Sequence, residues 1–356
     1  MNTVLVTGSS GLVGSACVRH FHSLGWRTLG LDNNSRLRYF GHDGCTAANG
    51  RRLYDAVPEF DEYNGDVSDN EDCEYLFRRH KDSITCVIHA AAQPSHDYAT
   101  REPALDFRVN ALGTLNMLEA TRRYAPEATF IFLSTNKVYG DAPNELPLAE
   151  MDARYQYGQL SYYHEGANRF GINENMRVDQ SRHSSFGASK AAADLLVQEY
   201  GRTYGMKTVC FRAGCLTGSD HAGAELHGFL AYLARCIKED RPYKVYGYKG
   251  KQVRDQLHAD DVALACAEFA NNPKVAAVYN LGGGYENSIS ILEAIGWMVE
   301  LTGKPLKWSY VDEPRGGDHI CYYTDTTKFR GDYPGWEVTR NLESILEELC
   351  LEKVTA

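Results

Sequence analysis

The sequence predicts an α/β protein, a doubly wound parallel sheet with a smaller C-terminal region, and three observations predict it. Short apolar runs such as Val4-Leu5-Val6, Thr129-Phe130-Ile131-Phe132-Leu133 and Thr208-Val209-Cys210-Phe211-Arg212 alternate with stretches whose apolar residues recur at helical spacing. The first run ends in a glycine turn, Thr7-Gly8-Ser9-Ser10-Gly11-Leu12-Val13-Gly14, that opens a helix reaching about Leu24. At 356 residues the chain also exceeds the usual single-domain range. The expected division is 1–215 for the large unit, with returning core segments at about 254–284, and 216–356 for most of the smaller region.

Composition narrows the partners. With 37 Lys+Arg against 47 Asp+Glu, the formal charge of −10 argues against a broad phosphate-binding surface, so nucleic acid is not expected and any phosphate must be held locally. The ten cysteines are scattered without a Cys-x-x-Cys pair, which signals neither a metal site nor a disulfide framework and suits a reducing cytoplasm. No apolar run approaches bilayer-spanning length, and the N-terminus enters a strand directly. A soluble, cytoplasmic chain without a membrane partner is expected.

Each element then has its own reading. Gly8, Gly11 and Gly14 fit a loop whose backbone packs against a dinucleotide pyrophosphate while the helix N-terminus supplies N–H donors; a plain tight turn is the alternative. The second strand, Arg27-Thr28-Leu29-Gly30-Leu31, ends in Asp32, where a carboxylate can bind the adenine ribose hydroxyls and repels a 2′-phosphate. NAD is therefore expected over NADP. Residues 37–59 form an irregular polar insertion to which no role can be assigned. In Tyr63-Asn64-Gly65-Asp66-Val67, Asp66 either accepts from the adenine amino group, at a strand end that flanks the ring, or caps the helix near 69–79. Thr85-Cys86-Val87-Ile88-His89-Ala90-Ala91-Ala92 reads as a buried strand ending in small residues, Ala90 among them, that let a ligand approach the backbone; His89 reads as structural. Asn110 lies in a long helical stretch and either braces the active-site helix or simply packs. Ser134-Thr135-Asn136-Lys137-Val138-Tyr139-Gly140 places hydroxyls at the carboxyl end of a central strand, where a doubly wound fold presents its chemistry. Thr135 can bond a substrate alcohol or serve an ordinary turn. Ser181 through Lys190 opens the next long helix, with Phe186 and Lys190 on one face.

Gly8/Gly11/Gly14, Asp32, Gly65-Asp66-Val67, His89-Ala90-Ala91, Ser134-Thr135 and Lys190 together resemble the extended short-chain dehydrogenase/reductases that act on nucleotide sugars, over nearly the whole chain. The resemblance implies a Rossmann-type NAD-binding domain. Within that group, Ser134 through Asp141, Ala153-Arg154-Tyr155, Gly171-Ile172-Asn173-Glu174-Asn175 and Gly250 through His258 resemble the CDP-paratose (CDP-tyvelose) 2-epimerases. These are enzymes with tightly bound NAD. The reaction implied oxidises C2 of a CDP-dideoxyhexose to a ketone, lets the sugar turn over and returns the same hydride to the opposite face. The family's catalytic threonine maps to Thr135, its lysine to Lys190, and its catalytic tyrosine to Phe186. That phenylalanine is either native to a branch of the family or an inactivating change; Ser184-Ser185 in place of the more usual Ser-Pro favours the native reading. A lost general base requires a substitute. Candidates nearby in sequence are Tyr162, Tyr163, His164, His183, Ser185 and Cys215.

The resemblance also orders the second half. The 187–204 and 104–123 helices would form the four-helix seam common in the superfamily, so a homodimer is expected by analogy. Cys215 stands where many relatives carry an asparagine that touches sugar or phosphate, and reads as a pocket wall or a weak acid/base. The 221–229 stretch corresponds to a nucleotide-holding loop, and Lys244-Val245-Tyr246-Gly247 to a base-edge strand. Arg254 offers a planar bidentate donor to a pyrophosphate; Arg315 is a second clamp, with Asp318 facing a ribose hydroxyl or Arg254. Asn136 completes the substrate-binding candidates. The expected function is an NAD-dependent nucleotide-sugar epimerase acting on a nucleoside-diphosphate sugar. A non-catalytic NAD- and nucleotide-sugar-binding protein is one alternative. A dehydratase or decarboxylase of the same fold ranks lower, because Asn136-Lys137 rather than an acid/base pair follow Thr135.

Overall fold

The computed structural model describes residues 2–80, 83–159, 163–225 and 227–351. The apolar runs become seven strands of one sheet: β1 Thr3–Thr7, β2 Arg27–Asp32, β3 Asp61–Asn64, β4 Ile84–His89, β5 Thr129–Thr135, β6 Thr208–Ala213 and β7 Ala277–Leu281. Their spatial order is β7-β6-β5-β4-β1-β2-β3, with every pairing parallel. The order reverses between β1 and β4, which opens a crevice at the carboxyl ends of the strands. Parallel strands are covered by helices on both faces, so they read as continuous apolar runs rather than alternating ones.

Five helices supply most of that cover: α1 Leu12–Ser23, α2 Asn70–His80, α3 Gly113–Tyr124, α4 Ser185–Tyr204 and α5 Ala259–Asn271. On one face α1 and α5 bury Val18, Phe21 and Val262 against Val4, Val6 and Phe211. On the other, Leu76, Phe77, Met117 and Val197 pack against Leu5, Val87 and Phe130. Burying side chains of this size stabilises the fold by roughly 1.5–3 kcal/mol each. The N-terminus of α4 is set by Ser184, whose hydroxyl accepts the Gly187 N–H at 3.1 Å, and the helix stops at Gly205 in the left-handed region, φ +68°.

The smaller region has its own core, formed by Leu230, Leu233 and Ile237, by Ile295 and Met298, and by Ile345 and Leu346, on three helices, together with Val245. The chain does not divide cleanly at 215, however. Beyond β7, Phe329, Tyr333 and Trp336 return to the core beneath α1 and α5, where Trp336 Nε1 donates to the Asp261 carbonyl at 2.9 Å. The 138–176 segment, conversely, packs its Tyr139, Tyr157 and Ile172 against Cys321, Tyr322 and Tyr323.

The 37–59 insertion acquires a role. It folds as two short helices, Arg36–Phe40 and Ala47–Ala56, joined through a 3₁₀ turn at Gly41–Gly44. Arg52 and Arg19 both pair with Asp220 at 2.7 Å, and Asn49 donates to the Asp220 carbonyl. Asp43 pairs with Arg235 and Arg241 at 3.1 and 3.3 Å, and Arg36 donates to the Ala222 carbonyl at 2.8 Å. The insertion is thus a clasp between the strand that ends at Asp32 and the 220–241 segment.

Candidate active site

A cavity of about 420 Å³ occupies the crevice and extends into the smaller region. At its sheet end the glycine loop is too tight for side chains. Gly8 has φ +68°, and a Cβ there would lie 2.9 Å from the Ala91 nitrogen; a Cβ on Gly14 would overlap the Gly8 carbonyl oxygen. No side chain caps α1 at Gly11, so the N–H groups of its first turn remain available. Ser9 and Ser10 hydroxyls donate to Glu62 Oε1 at 2.6 and 2.8 Å, pinning the loop. Asp32 accepts the Ser10 and Asn34 N–H groups at 3.1 and 2.7 Å; burial raises its carboxyl, and these backbone donors oppose the rise. Asp66 accepts from Ser68 N–H and Asn33 Nδ2 at 2.8 and 3.1 Å. The first turn of α2 is served instead by Asp69, which takes the Glu71 N–H at 2.8 Å. Asp66 therefore does not cap that helix, and it lines the cavity with Val67 and Ala90. A backbone cradle, an open helix N-terminus and a carboxylate at the end of β2 fit NAD.

At the centre lies Lys190, buried, its Nζ donating to the Leu133 carbonyl at 2.7 Å and standing 4.0 Å above the Phe132 ring. Burial brings its ammonium down to about 8. Thr135 Oγ1 accepts the Lys137 N–H at 3.2 Å, so it caps the turn Asn136–Tyr139 while lining the cavity. The turn reading of Thr135 is thus observed, and its place on the cavity wall leaves it within the candidate site. Asn110 braces α4: its side chain reaches Ser189 Oγ at 3.1 Å and the Gln93 backbone N–H and carbonyl, within a π-helical turn at Arg108–Leu112. His89 is enclosed between Thr7 and Thr114 at 2.7 and 3.1 Å, a structural histidine.

Phe186 lines the cavity one turn before Lys190 and presents only carbon. Beside it stands a residue that sequence reasoning missed. His96, first residue of the helix His96–Arg101, sets its ring 4.8 Å from that of Phe186 at 61°, with Nδ1 2.9 Å from Ser184 Oγ. Its one sequence signal was a place soon after the carboxyl end of a central strand.

The outer end is cationic. Asp318 is approached by Arg254 at 3.4 Å and Lys137 at 3.9 Å, while Lys137 Nζ donates to the Gly317 carbonyl at 3.0 Å. Burial opposes ionisation of Asp318, yet Arg254, Lys137 and Arg315 hold its carboxyl far below the usual range. Arg315 pairs with Asp97 at 3.3 Å. Lys137, brought down to about 8 by burial, is the second residue missed. Asn136 and Cys215 line the cavity; burial pushes the Cys215 thiol up, leaving it protonated at neutral pH and unsuited to serve as a base.

Four of the proximity-based substitutes, Tyr163, His164, His183 and Ser185, are not among the lining residues, and Tyr162 lies outside the described residues. The reason is local packing. The 167–172 hairpin turns toward 323–325, where Ile172 N–H meets the Tyr323 carbonyl at 2.9 Å and Asn168 meets Asp325 at 2.7 Å. His183 Nε2 lies against the Val178 carbonyl at 2.7 Å.

Comparison with known proteins agrees with this geometry. The model of the NAD dependent epimerase/dehydratase family matches residues 4–166 and 163–282. A CDP-paratose 2-epimerase from Salmonella typhi is 30% identical over 298 residues, covering 82% of this chain and 81% of that protein. A dTDP-glucose 4,6-dehydratase from Escherichia coli is 27% identical over 359 residues, covering 96% of this chain and 90% of that protein. A UDP-glucose 4-epimerase from Thermus thermophilus, solved in complex with NAD, superimposes with a TM-score of 0.76 at 27% identity, covering 98% of this chain and 97% of that one. The chain belongs to the NAD dependent epimerase/dehydratase family, whose cofactor is the one that the glycine cradle and Asp32 fit.

Proposed function

We propose that this protein is an NAD-dependent nucleotide-sugar epimerase of the CDP-paratose 2-epimerase type. The observation that carries the reading is a single cavity with the NAD-fitting loop at one end, Arg254, Arg315 and Lys137 at the other, and Lys190 and Thr135 between them. Arg254 and Arg315 would hold the diphosphate, which displaces part of their attraction to Asp318 and Asp97. NAD, when bound, supplies the acceptor that takes a hydride from the sugar carbon and returns it. Lys190 keeps a positive charge beneath that carbon and a donor for a ribose hydroxyl. Thr135 bonds the reacting hydroxyl, and Asn136 the sugar. In this reading C2 of a CDP-dideoxyhexose is oxidised to a ketone, the sugar turns over, and the hydride returns to the opposite face.

The Escherichia coli relative is a dehydratase, but a dehydratase of this fold needs an acid/base pair beside the transient ketone. Asn136 and Lys137, which follow Thr135, are not such a pair. One observation favours a non-catalytic binding protein instead: Phe186 puts no hydroxyl beside Lys190.

A homodimer is part of the proposal. Phe107, Leu112 and Leu195 are 54, 42 and 55% exposed and share one apolar face with Leu115 and Leu196. Such a face suits a second copy of the chain; sedimentation at a single protomer mass would refute it. A cytoplasmic location is supported by ten free cysteines. Among the described residues no helix is long and apolar enough to cross a membrane.

Titration calorimetry with CDP, UDP, GDP and dTDP on the NAD-loaded protein tests the reading. CDP is expected to bind most tightly, and Arg254→Ala to weaken it by roughly tenfold or more, the loss of a charge-assisted bidentate contact. Absence of binding by all four contradicts it.

A further inference from the structure

His96 is the imidazole that the reading above leaves unused. It is half-buried and lines the cavity on the Phe186 side. Its ring is held from three directions: Phe186 stands against it, Ser184 Oγ meets Nδ1 at 2.9 Å, and the Gly317 backbone is so near that a Cβ there would lie 2.9 Å from Nδ1. In the tautomer whose Nδ1–H donates to Ser184 Oγ, Nε2 carries the free lone pair, and among the described residues no hydrogen-bond partner takes it.

Several other lining groups are less suited. Lys190 and Lys137 are ammonium donors held on the Leu133 and Gly317 carbonyls, and the Thr135 hydroxyl, which accepts the Lys137 N–H, can bond a substrate hydroxyl but is not itself a base. Cys215 holds its proton at neutral pH. His221 and His227 also line the cavity, but they face each other, Nε2 to Nδ1 at 3.5 Å, with His227 tilted at 40° against the Phe40 ring of the clasp.

We propose that His96 is the proton-transfer residue of this site, a positioned base that does the work of the phenol missing at residue 186. Its Nε2 takes the proton of the sugar hydroxyl as the hydrogen on the same carbon leaves, with its electron pair, to the oxidised nicotinamide. The O–H and C–H bonds break while N–H and C=O form. When the hydride returns to the other face, His96 gives the proton back to the carbonyl oxygen, so the cycle involves no net oxidation. The proposal rests on the epimerase reading.

The charges around His96 add a substrate dependence. Burial, then Lys137 from the turn after β5, with Arg315 and Arg254 adding to them, bring the imidazole down to about 3, while Asp318 opposes them. His227 faces the same space from the 221–228 segment, and Asp97, the next residue, is engaged by Arg315. A diphosphate seated on Arg254 and Arg315 offsets those positive charges, so the imidazole is a stronger base with substrate bound than without.

The test uses full-length, NAD-loaded protein with its best-binding nucleotide sugar. His96→Asn should leave nucleotide-sugar affinity within about threefold and lower kcat on the order of a hundred- to ten-thousand-fold, removing the acidic limb of its pH profile. Adding Phe186→Tyr to His96→Asn should restore kcat by about tenfold or more, because a phenol beside Lys190 again accepts the proton. In ¹⁵N spectra, the His96 Nε2 signal should move on adding the nucleoside diphosphate, which offsets Arg254 and Arg315, and move further on adding the nucleotide sugar, whose hydroxyl it bonds. An unchanged kcat in His96→Asn, or an Nε2 signal that moves no further with the nucleotide sugar than with the nucleoside diphosphate, overturns the proposal while leaving the epimerase reading intact. Failure of every nucleotide sugar to bind the unaltered protein overturns both.

Discussion

Ser184 Oγ and His96 Nδ1 lie 2.9 Å apart, and that contact ties the first turn of α4 to the loop after β4. The same hydroxyl accepts the Gly187 N–H, so one serine both starts the helix that carries Lys190 and orients the imidazole beside Phe186. Ser184→Ala is expected to cost about 1 kcal/mol of stability through the lost cap. It should also lower kcat more than nucleotide-sugar affinity, because the imidazole loses its tether. Thermal denaturation and steady-state kinetics check the two effects separately; a stability loss with kcat unchanged reduces Ser184 to a cap.

Lys190 separates chemistry from folding. Its buried ammonium, down to about 8, is easier to desolvate as a neutral group. Lys190→Met should therefore keep or raise the melting temperature while turnover falls on the order of a hundred- to ten-thousand-fold and bound NAD is lost on dialysis. Retention of both NAD and turnover would contradict the role given to this residue.

A histidine far from the reacting groups sets a pH dependence of stability. Burial alone would lower the His258 imidazole, but the carboxylates of Asp260 and Glu348, at 3.3 and 3.1 Å, raise it from 6.5 to about 9. A raised folded-state value means the contribution is fully present below 6.5 and is lost as the pH rises through about 9. On the acid side, burial resists the charge on Glu348 but His258 keeps its carboxyl below the ordinary 4.5, so that contribution is present above 4.5 and fades as the pH falls through the lowered value. Glu348→Gln should destabilise the fold near neutrality by on the order of 2 kcal/mol, with the difference vanishing above about pH 10. Denaturant titrations across pH measure it; a deficit that persists at high pH would contradict the ion-pair origin.

The clasp should govern how long the dinucleotide stays. Asp220 takes two arginines, Arg19 and Arg52, each at 2.7 Å. Partly exposed pairs of this kind contribute roughly 0.2–1 kcal/mol each, so Asp220→Ala should cost about 1 kcal/mol and speed NAD release several-fold. The time course of dinucleotide loss on dilution reads it directly, and an unchanged release rate would show that the insertion does not retain the cofactor.

Much of the fold was legible because parallel strands buried on both faces leave uninterrupted apolar runs, as at Phe130-Ile131-Phe132-Leu133. The glycine turn was legible for a related reason: Gly8 and Gly14 occupy places where a Cβ would collide with backbone. What escaped depends on distant partners. The insertion is organised by contacts from Arg52 to Asp220 and Arg241 to Asp43, 168 and 198 residues apart, and neither leaves a periodic mark. Phe329, Tyr333 and Trp336 return to the large core although the chain around them belongs to the smaller region. For the same reason, searching near Phe186 in sequence for a replacement base found His164 and His183, which face elsewhere, while His96 arrives from a separate crossover.

The decisive measurement is product analysis by NMR after the NAD-loaded protein is incubated with CDP-, UDP-, GDP- and dTDP-sugars in deuterated water. The epimerase reading predicts a sugar inverted at one carbon, C2 for the CDP-dideoxyhexose, with the original hydrogen retained there and no net reduction of NAD. Loss of water to a deoxy-keto sugar, deuterium at the inverted carbon, or bound sugars recovered unchanged would contradict it.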